Sequence, residues 1–176
     1  MIKIVQDGHK ALRAIAKEVP VAEIQSSKIK KIIANMKEAL ASQSDGVAIA
    51  APQIAETLRI FVVSGKVFDE DFIRGKDLNV KVHEDLTFIN PIITKISKDK
   101  KLLPEGCLSV RPLYGNVRRS TRATVEAYGE DGKKFTMDGT GLLAHIFQHE
   151  TDHLDGILFI DKAKDIHEST PEEEFK

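Results

Sequence analysis

Residues 139–156 read GTGLLAHIFQHETDHLDG, and the predicted fold is built around this segment. Gly156 stands where the C′ position of a helix would fall, so we predict a helix over residues 139–154. His149 and His153 are four residues apart, so both imidazoles lie on one face of that helix, one turn apart, and can reach the same cation. The stretch therefore predicts a central metal-binding helix.

Glu150 completes the pattern His-Glu-x-x-His. It lies about 100° around the helix from His149, beside the cation, where it can accept a proton from water. Leu142 and Ile146 extend the histidine stripe toward the N-terminus, so this face points inward, where charges interact more strongly than in water. Two histidines that are merely packed or solvated are the alternative for this motif on its own.

A catalytic metal site needs a third protein ligand. Zinc proteases with this motif take that ligand downstream, where this chain offers only His167 and a few acids. Upstream lies Glu-Gly-Cys-Leu-Ser, residues 105–109, in which Gly106 allows a sharp bend and Cys107 offers a soft thiolate donor for iron or zinc. A lone cysteine that serves as a small buried hydrophobe is the alternative.

A third segment, Gly-Val-Ala-Ile-Ala-Ala-Pro-Gln at residues 46–53, is rich in small residues. Small residues let a backbone approach a ligand closely, and Gln53 can offer an amide donor. A tight turn that leads into a buried strand explains the same segment equally well.

The remaining elements predict an α+β fold in which small, mostly antiparallel sheets pack around the metal-binding helix. Ser26 can cap an N-terminal amphipathic helix over residues 27–42, whose apolar residues recur at helical spacing. Strands are expected at residues 59–64, 86–96, 122–128, 133–137 and 157–160. The turn at residues 129–132 joins two of these strands as a hairpin.

The length of 176 residues suits one domain. We expect a single catalytic domain over residues 1–162 and an acidic C-terminal tail over residues 163–176. The 26 Lys and Arg residues balance 27 Asp and Glu residues, so the basic excess typical of nucleic-acid-binding proteins is missing. No apolar run reaches the roughly 18 residues that span a bilayer. The single cysteine and the lack of a secretory signal make the cytoplasm the expected location.

The three segments, in this order, resemble the peptide deformylase family. That family carries Gly-x-Gly-x-Ala-Ala-x-Gln, then Glu-Gly-Cys-Leu-Ser, then Gln-His-Glu-x-Asp-His-Leu-x-Gly. Residues 105–109 match the second pattern completely, and residues 148–156 match the third. Residues 46–53 match the first except at Ala48, which replaces the second glycine and would be strained if this position required a positive φ. The similarity spans about residues 1–162.

The resemblance implies a metal-dependent hydrolase that removes the formyl group from N-formylmethionyl nascent peptides and releases formate. One divalent metal would be held by three side chains: Cys107, His149 and His153. Fe²⁺ is expected natively, although Zn²⁺, Ni²⁺ or Co²⁺ can occupy such a site. Glu150 would be the general base, and the Leu108 backbone N–H and the Gln53 amide would hold the developing oxyanion.

The resemblance also implies an apolar slot for the methionine side chain. The expected substrate-binding residues are Val47, Ala48, Gly106, Leu142 and Ile146. Core packing alone is the alternative for Val47, Leu142 and Ile146. Docking to the ribosome is left open, and no membrane or sequence-specific nucleic-acid partner is expected.

Ligating histidines usually donate their second N–H to a further residue, which leads to a hypothesis about Arg119. We expect Arg119 to bridge Glu105 and Asp152 and so to tie the cysteine segment to the helix. Two rival functions are a zinc endopeptidase of the His-Glu-x-x-His type and a non-catalytic module with a structural metal.

Overall fold

The computed structural model describes residues 2–69, 72 and 83–174. The helices are α1 (Ser27–Ala41) and α2 (Gly141–Leu154), and the strands are β1 (Ala48–Ala50), β2 (Ile60–Val63), β3 (Leu86–Ile96), β4 (Lys100–Gly106), β5 (Leu113–Ser120), β6 (Arg122–Tyr128), β7 (Lys134–Thr140) and β8 (Lys164–Glu168). Short 3-10 helices lie at Lys10–Arg13, Val21–Glu23, Ala51–Ile54, Gly65–Phe68 and Phe159–Asp161, and a single α-helical turn lies at Pro171–Glu174. No helix in the described part of the chain is long and apolar enough to cross a membrane.

The strands form two antiparallel sheets, which confirms the predicted α+β class. The first sheet has the order β1-β2-β3-β6-β7 and the second has the order β4-β5-β8. The predicted hairpin is present, because β6 and β7 pair along their whole length from Arg122 opposite Thr140 to Tyr128 opposite Lys134. β3 continues into β4 and β5 continues into β6, so the two sheets are joined at one corner.

Helix α2 packs its apolar side on the five-stranded sheet. Phe147 is fully buried, and its ring lies edge-on to Phe88, with 5.4 Å between centroids. Phe88 in turn stacks on Phe61 of β2 at 4.6 Å. Aromatic pairs of this kind stabilise by about 0.5–1.5 kcal/mol beyond the burial of their area. The helix that carries the histidines is therefore also the centre of the core.

The predicted start of this helix, residue 139, is wrong by two residues. Gly139 still belongs to β7, paired with Ala123, and the helix begins at Gly141 after Thr140 adopts an extended conformation. Gly139 is needed there because a Cβ would lie 2.8 Å from the Phe147 ring. The glycine serves close packing of the strand against the helix.

Helix α1 covers the other face of the same sheet. The side chain of Ser26 accepts a hydrogen bond from the backbone N–H of Ile29 and caps the helix. The residues at helical spacing are buried together with residues of β1 and β2: Ile29, Ile32, Ile33, Met36 and Leu40. This helix holds β1, and with it the segment at residues 46–53, against the rest of the domain.

The C-terminal part of the chain differs from the sequence expectation in two places. Residues 157–160 do not form a strand: Leu158 and Phe159 are buried, but they enter a 3-10 helix at Phe159–Asp161, and the Asp161 side chain accepts from the Leu158 N–H. Within the expected tail, β8 pairs with β5 although all of its residues are exposed. Residues 175 and 176 lie outside the described residues.

Candidate metal centre

The three predicted ligands come together at one point. Cys107 follows the last residue of β4, while His149 and His153 project from consecutive turns of α2. The Sγ atom of Cys107 lies 3.2 Å from Nε2 of His153, and that nitrogen lies 3.2 Å from Nε2 of His149. In the described part of the chain these three side chains form a group whose ligand atoms all lie within 4.8 Å of one another.

The chemistry of this donor set fits a divalent transition metal. One sulfur and two imidazole nitrogens converge with their lone pairs, and such borderline-soft donors suit iron, zinc and their neighbours. Burial, and then the positive charge of His149, hold the pKa of His153 well below its usual value, so His153 is neutral, as a ligand must be. Three protein ligands are also the number typical of catalytic zinc-type sites.

Glu150 lies beside this group and is almost fully buried. Its Oε2 atom has no hydrogen-bond partner among the residues that the structure describes. Burial, and to a lesser extent the negative charge of Glu105, raise the pKa of Glu150 to about 7 against the opposing effects of His149 and Arg119. A carboxyl group that titrates near neutral pH is well matched to general base catalysis.

The first and second segments meet at Cys107. Gln53 is buried; its Oε1 accepts from the Ala50 N–H, and its Nε2 lies 3.1 Å from Ser109 Oγ and 3.6 Å from Cys107 Sγ. Leu108, directly after the cysteine, is also buried, and its carbonyl oxygen accepts from Gln6. The two expected oxyanion donors therefore both lie next to the metal-ligand group.

A buried carboxylate connects the cysteine segment to the helix. Glu105 accepts two hydrogen bonds from Arg119, at 3.1 Å from Nε and 2.7 Å from Nη2. Arg119 Nη1 also donates to Asp152 on α2, at 2.6 Å. The hypothesis that Arg119 bridges Glu105 and Asp152 is confirmed. His149 Nδ1 donates to the same carboxylate at 2.5 Å, so Glu105 orients a predicted metal ligand.

The charges of this network are set by burial and by their partners. Burial alone would raise the pKa of Glu105, but positive His149 and hydrogen bonds from His145, His149 and Arg119 hold it far below its usual range. Burial alone would lower the pKa of His149, but the carboxylate of Glu105 raises it well above its usual value. In the absence of a metal, His149 therefore carries a proton that a metal must displace.

The expected substrate-binding residues fall into two groups. Ala48 lies in β1 with ordinary extended pairing opposite Val63, so the alanine costs no backbone strain. Ile146 is buried in the main core cluster, against which Val47 packs. Leu142, by contrast, is 40% exposed.

Gly106 is the remaining expected substrate-binding residue, and it lies under a neighbouring ring. A Cβ at Gly106 would lie 2.4 Å from the ring of Tyr114, so no larger residue fits beside that ring. Because Gly106 has no side chain, the Tyr114 ring can pack directly against the backbone that precedes Cys107.

Two residues of this region were not assigned a role from the sequence. The side chain of Gln148 accepts a hydrogen bond from the Ser120 N–H at 3.0 Å and donates one to the Ser120 carbonyl oxygen at 2.9 Å. These bonds attach α2 to the end of β5, where the two sheets meet. His145 Nε2 contacts Glu105 Oε2. The signal for His145 was present, because it precedes His149 by four residues on the same helical face.

A helix-borne His-Glu-x-x-His motif with a converging cysteine and a buried carboxyl that titrates near pH 7 defines a metal-dependent hydrolase. The family model "Polypeptide deformylase" matches residues 1–169, and the chain belongs to this family. The family is metal-dependent, and its reaction, hydrolytic removal of an N-terminal formyl group, is the activity of this chain. The endopeptidase and structural-metal alternatives are not favoured.

Individual relatives agree with this assignment. A peptide deformylase from Pelotomaculum thermopropionicum is 38% identical over 172 residues, which cover 98% of this chain and 97% of the relative. A peptide deformylase from Treponema pallidum is 37% identical over 143 residues, 81% of this chain and 77% of the relative. The crystal structure of a class I type b peptide deformylase from Acinetobacter baumannii with Met-Ala-Ser bound has a TM-score of 0.79 at 29% identity, covering 92% of this chain and 98% of that one.

Proposed function

We propose that this chain deformylates N-formylmethionyl peptides with a metal held by Cys107, His149 and His153 and with Glu150 as general base. The observation that carries the proposal is the convergence of one sulfur and two imidazole nitrogens beside a buried carboxyl that has a pKa of about 7. Fe²⁺ is the metal that we assign natively, and the same donors suit Zn²⁺, Ni²⁺ and Co²⁺.

The chain's own groups supply the proton transfers of the reaction. When bound, the metal supplies Lewis acidity, which makes water acidic enough to be deprotonated near neutral pH. Glu150 accepts one proton from the attacking water as its oxygen bonds to the formyl carbon. When the carbon–nitrogen bond breaks, Glu150 returns this proton to the leaving amine. The products are formate and a peptide with a free N-terminal methionine.

Two N–H donors stabilise the negative charge that develops on the formyl oxygen. We assign this role to the side-chain amide of Gln53 and to the backbone N–H of Leu108. The position of Gln53 Nε2, 3.6 Å from Cys107 Sγ, supports the first assignment. Loss of one such donor typically lowers the rate by about 100- to 1,000-fold, which is the effect expected for Gln53→Leu.

The substrate path that we assign runs along residues from two segments and the helix: Val47, Ala48, Gly106, Leu142 and Ile146. The relative from Acinetobacter, crystallised with Met-Ala-Ser, supports a peptide with N-terminal methionine as the ligand of such a path. The ribosome, where nascent peptides emerge, and the cytoplasm are the partner and the location consistent with this substrate.

We further assign the catalytic domain to residues 1–162 and treat residues 163–176 as an appended segment. The full exposure of β8 supports this boundary, because the strand contributes little to the core. A chain that ends at Lys162 should retain its metal and its turnover. Loss of both in a folded truncated protein would move the boundary toward the C-terminus.

Formate release from N-formyl-Met-Ala-Ser, measured anaerobically with defined metals, tests the function. Glu150→Gln should keep the metal and lose turnover, whereas Glu168→Gln, on exposed β8, should keep both. Cleavage of internal peptide bonds without formate release would refute the proposal. Full turnover by Glu150→Gln would remove Glu150 from the role of base.

A further inference from the structure

The carboxylate of Glu105 is surrounded by four hydrogen-bond donors. Oε1 accepts from His149 Nδ1 at 2.5 Å and from Arg119 Nη2 at 2.7 Å. Oε2 accepts from Arg119 Nε at 3.1 Å and from His145 Nε2. A carboxylate offers about four lone-pair sites, so His145 supplies the last of the donors that this buried group can use.

These contacts fix which ring nitrogen of each histidine carries hydrogen. An ionised carboxylate only accepts hydrogen bonds, so both His145 Nε2 and His149 Nδ1 must donate. His149 then presents Nε2 toward Cys107 and His153, as a ligand should. His145 cannot be a fourth ligand through Nε2, because that atom is used on Glu105.

We propose that His145 is a positioning residue that acts on the metal centre through Glu105. This inference rests on the proposed function, because it assumes that His149 binds the metal. His145 and Arg119 approach Oε2 while Arg119 and His149 approach Oε1, so the plane of the carboxylate is fixed by contacts on both oxygens. Without His145, Oε2 keeps one donor, and the carboxylate gains freedom to rotate away from His149.

The effect should appear in how long the metal stays bound. Loss of a residue that directly supports a ligand typically lowers metal affinity by 10- to 100-fold. His145 lies one hydrogen bond further from the metal than Glu105, so the lower end of that range, about tenfold, is expected for its removal. The aliphatic His145→Leu removes the donor, whereas His145→Gln keeps an N–H near the position of Nε2.

The test measures release of Zn²⁺ from the loaded, full-length protein into excess chelator. His145→Leu should release zinc about tenfold faster than wild type, and His145→Gln should restore most of the difference. His167→Leu, which changes an exposed histidine on β8, should behave as wild type. Circular dichroism checks that each variant is folded. If the leucine variant is not, His145→Phe takes its place, because it keeps a planar ring without an N–H and should release zinc about tenfold faster than wild type.

Each of the following results would overturn the inference. Unchanged zinc release in His145→Leu together with a raised KM would make His145 a substrate contact. Equally fast release from both His145 variants would mean that packing of the ring, and not its N–H, matters. Wild-type zinc release from a folded His145→Phe overturns the inference when the leucine variant cannot be measured. If wild type itself binds no zinc, the proposed function fails as well, whereas wild-type binding and formate release with unaffected variants refute only the role of His145.

Discussion

Replacing Arg119 with methionine should destabilise the metal-free protein by about 3–5 kcal/mol. The change removes a guanidinium that is 4% exposed and that donates two hydrogen bonds to Glu105 and one to Asp152. Glu105 is equally buried, so it would keep its charge without its strongest partner. Removing one partner of a buried ion pair typically costs this amount, because the remaining charge stays desolvated. Domains of this size are stable by about 5–15 kcal/mol, so the loss is a large fraction of the total.

Urea unfolding of the metal-free proteins at neutral pH measures this effect. The matched control is Arg118→Met, which changes the preceding residue of β5 on its exposed side and should shift stability by less than about 0.5 kcal/mol. Metal-free protein is used because bound metal adds its own stabilisation to the folded state. A loss below about 1 kcal/mol for Arg119→Met, or equal losses for both variants, would refute the argument that this network holds the cysteine segment to the helix.

Three further outcomes follow from the site and the core. In the metal-free protein, Glu150 has a pKa near 7 instead of the ordinary 4.5. The protonated side chain therefore contributes to the free energy of unfolding fully below pH 4.5, and this contribution is lost as the pH rises through 7. The stability of Glu150→Gln relative to wild type, measured by urea unfolding, should therefore increase by about 3 kcal/mol from pH 5 to pH 8. A difference that does not change with pH would contradict this. Because the pKa of His149 is raised, its imidazolium should release a proton when a metal binds near neutral pH. Calorimetry in buffers of different ionisation enthalpy measures this release, and binding heats that do not depend on the buffer would contradict it. Gly139→Ala should lower stability by about 1–3 kcal/mol, since its Cβ would lie 2.8 Å from the Phe147 ring; an unchanged Tm would show that the ring moves freely.

The parts of the site that depend on local spacing could be predicted from the sequence. The pair His149 and His153 needs only the geometry of one helix turn, and α2 supplies it. The hairpin of β6 and β7 follows from alternation and a turn, and β3 has the predicted bounds Leu86–Ile96. Ligand chemistry and the family resemblance predict that Cys107 converges with the two histidines, and the geometry agrees with that prediction.

Elements without a strong hydrophobic pattern could not be predicted. β4 begins with charged residues and has only one buried position, Glu105, so its sequence does not show the alternation of a half-buried strand. β8 is exposed throughout and forms because the edge of β5 is available for pairing. At residues 157–160 the error is the reverse: the apolar run predicts a strand that is not formed, because such a run is equally compatible with a buried turn. Helical spacing places His145 on the face of His149, but it does not identify Glu105, 40 residues away in the chain, as the partner of His145.

Helix α2 contributes Phe147 to the core of the domain and also carries the proposed metal ligands His149 and His153, so one helix of fourteen residues bears on both stability and activity. An ion present at a thousandfold above its dissociation constant would add about 4 kcal/mol to the folded state. When that ion is scarce in a cell, molecules without metal are inactive. They are also less stable, so they are degraded by proteases more readily. Abundance of this protein should therefore track nutrient metal supply even when its synthesis is constant.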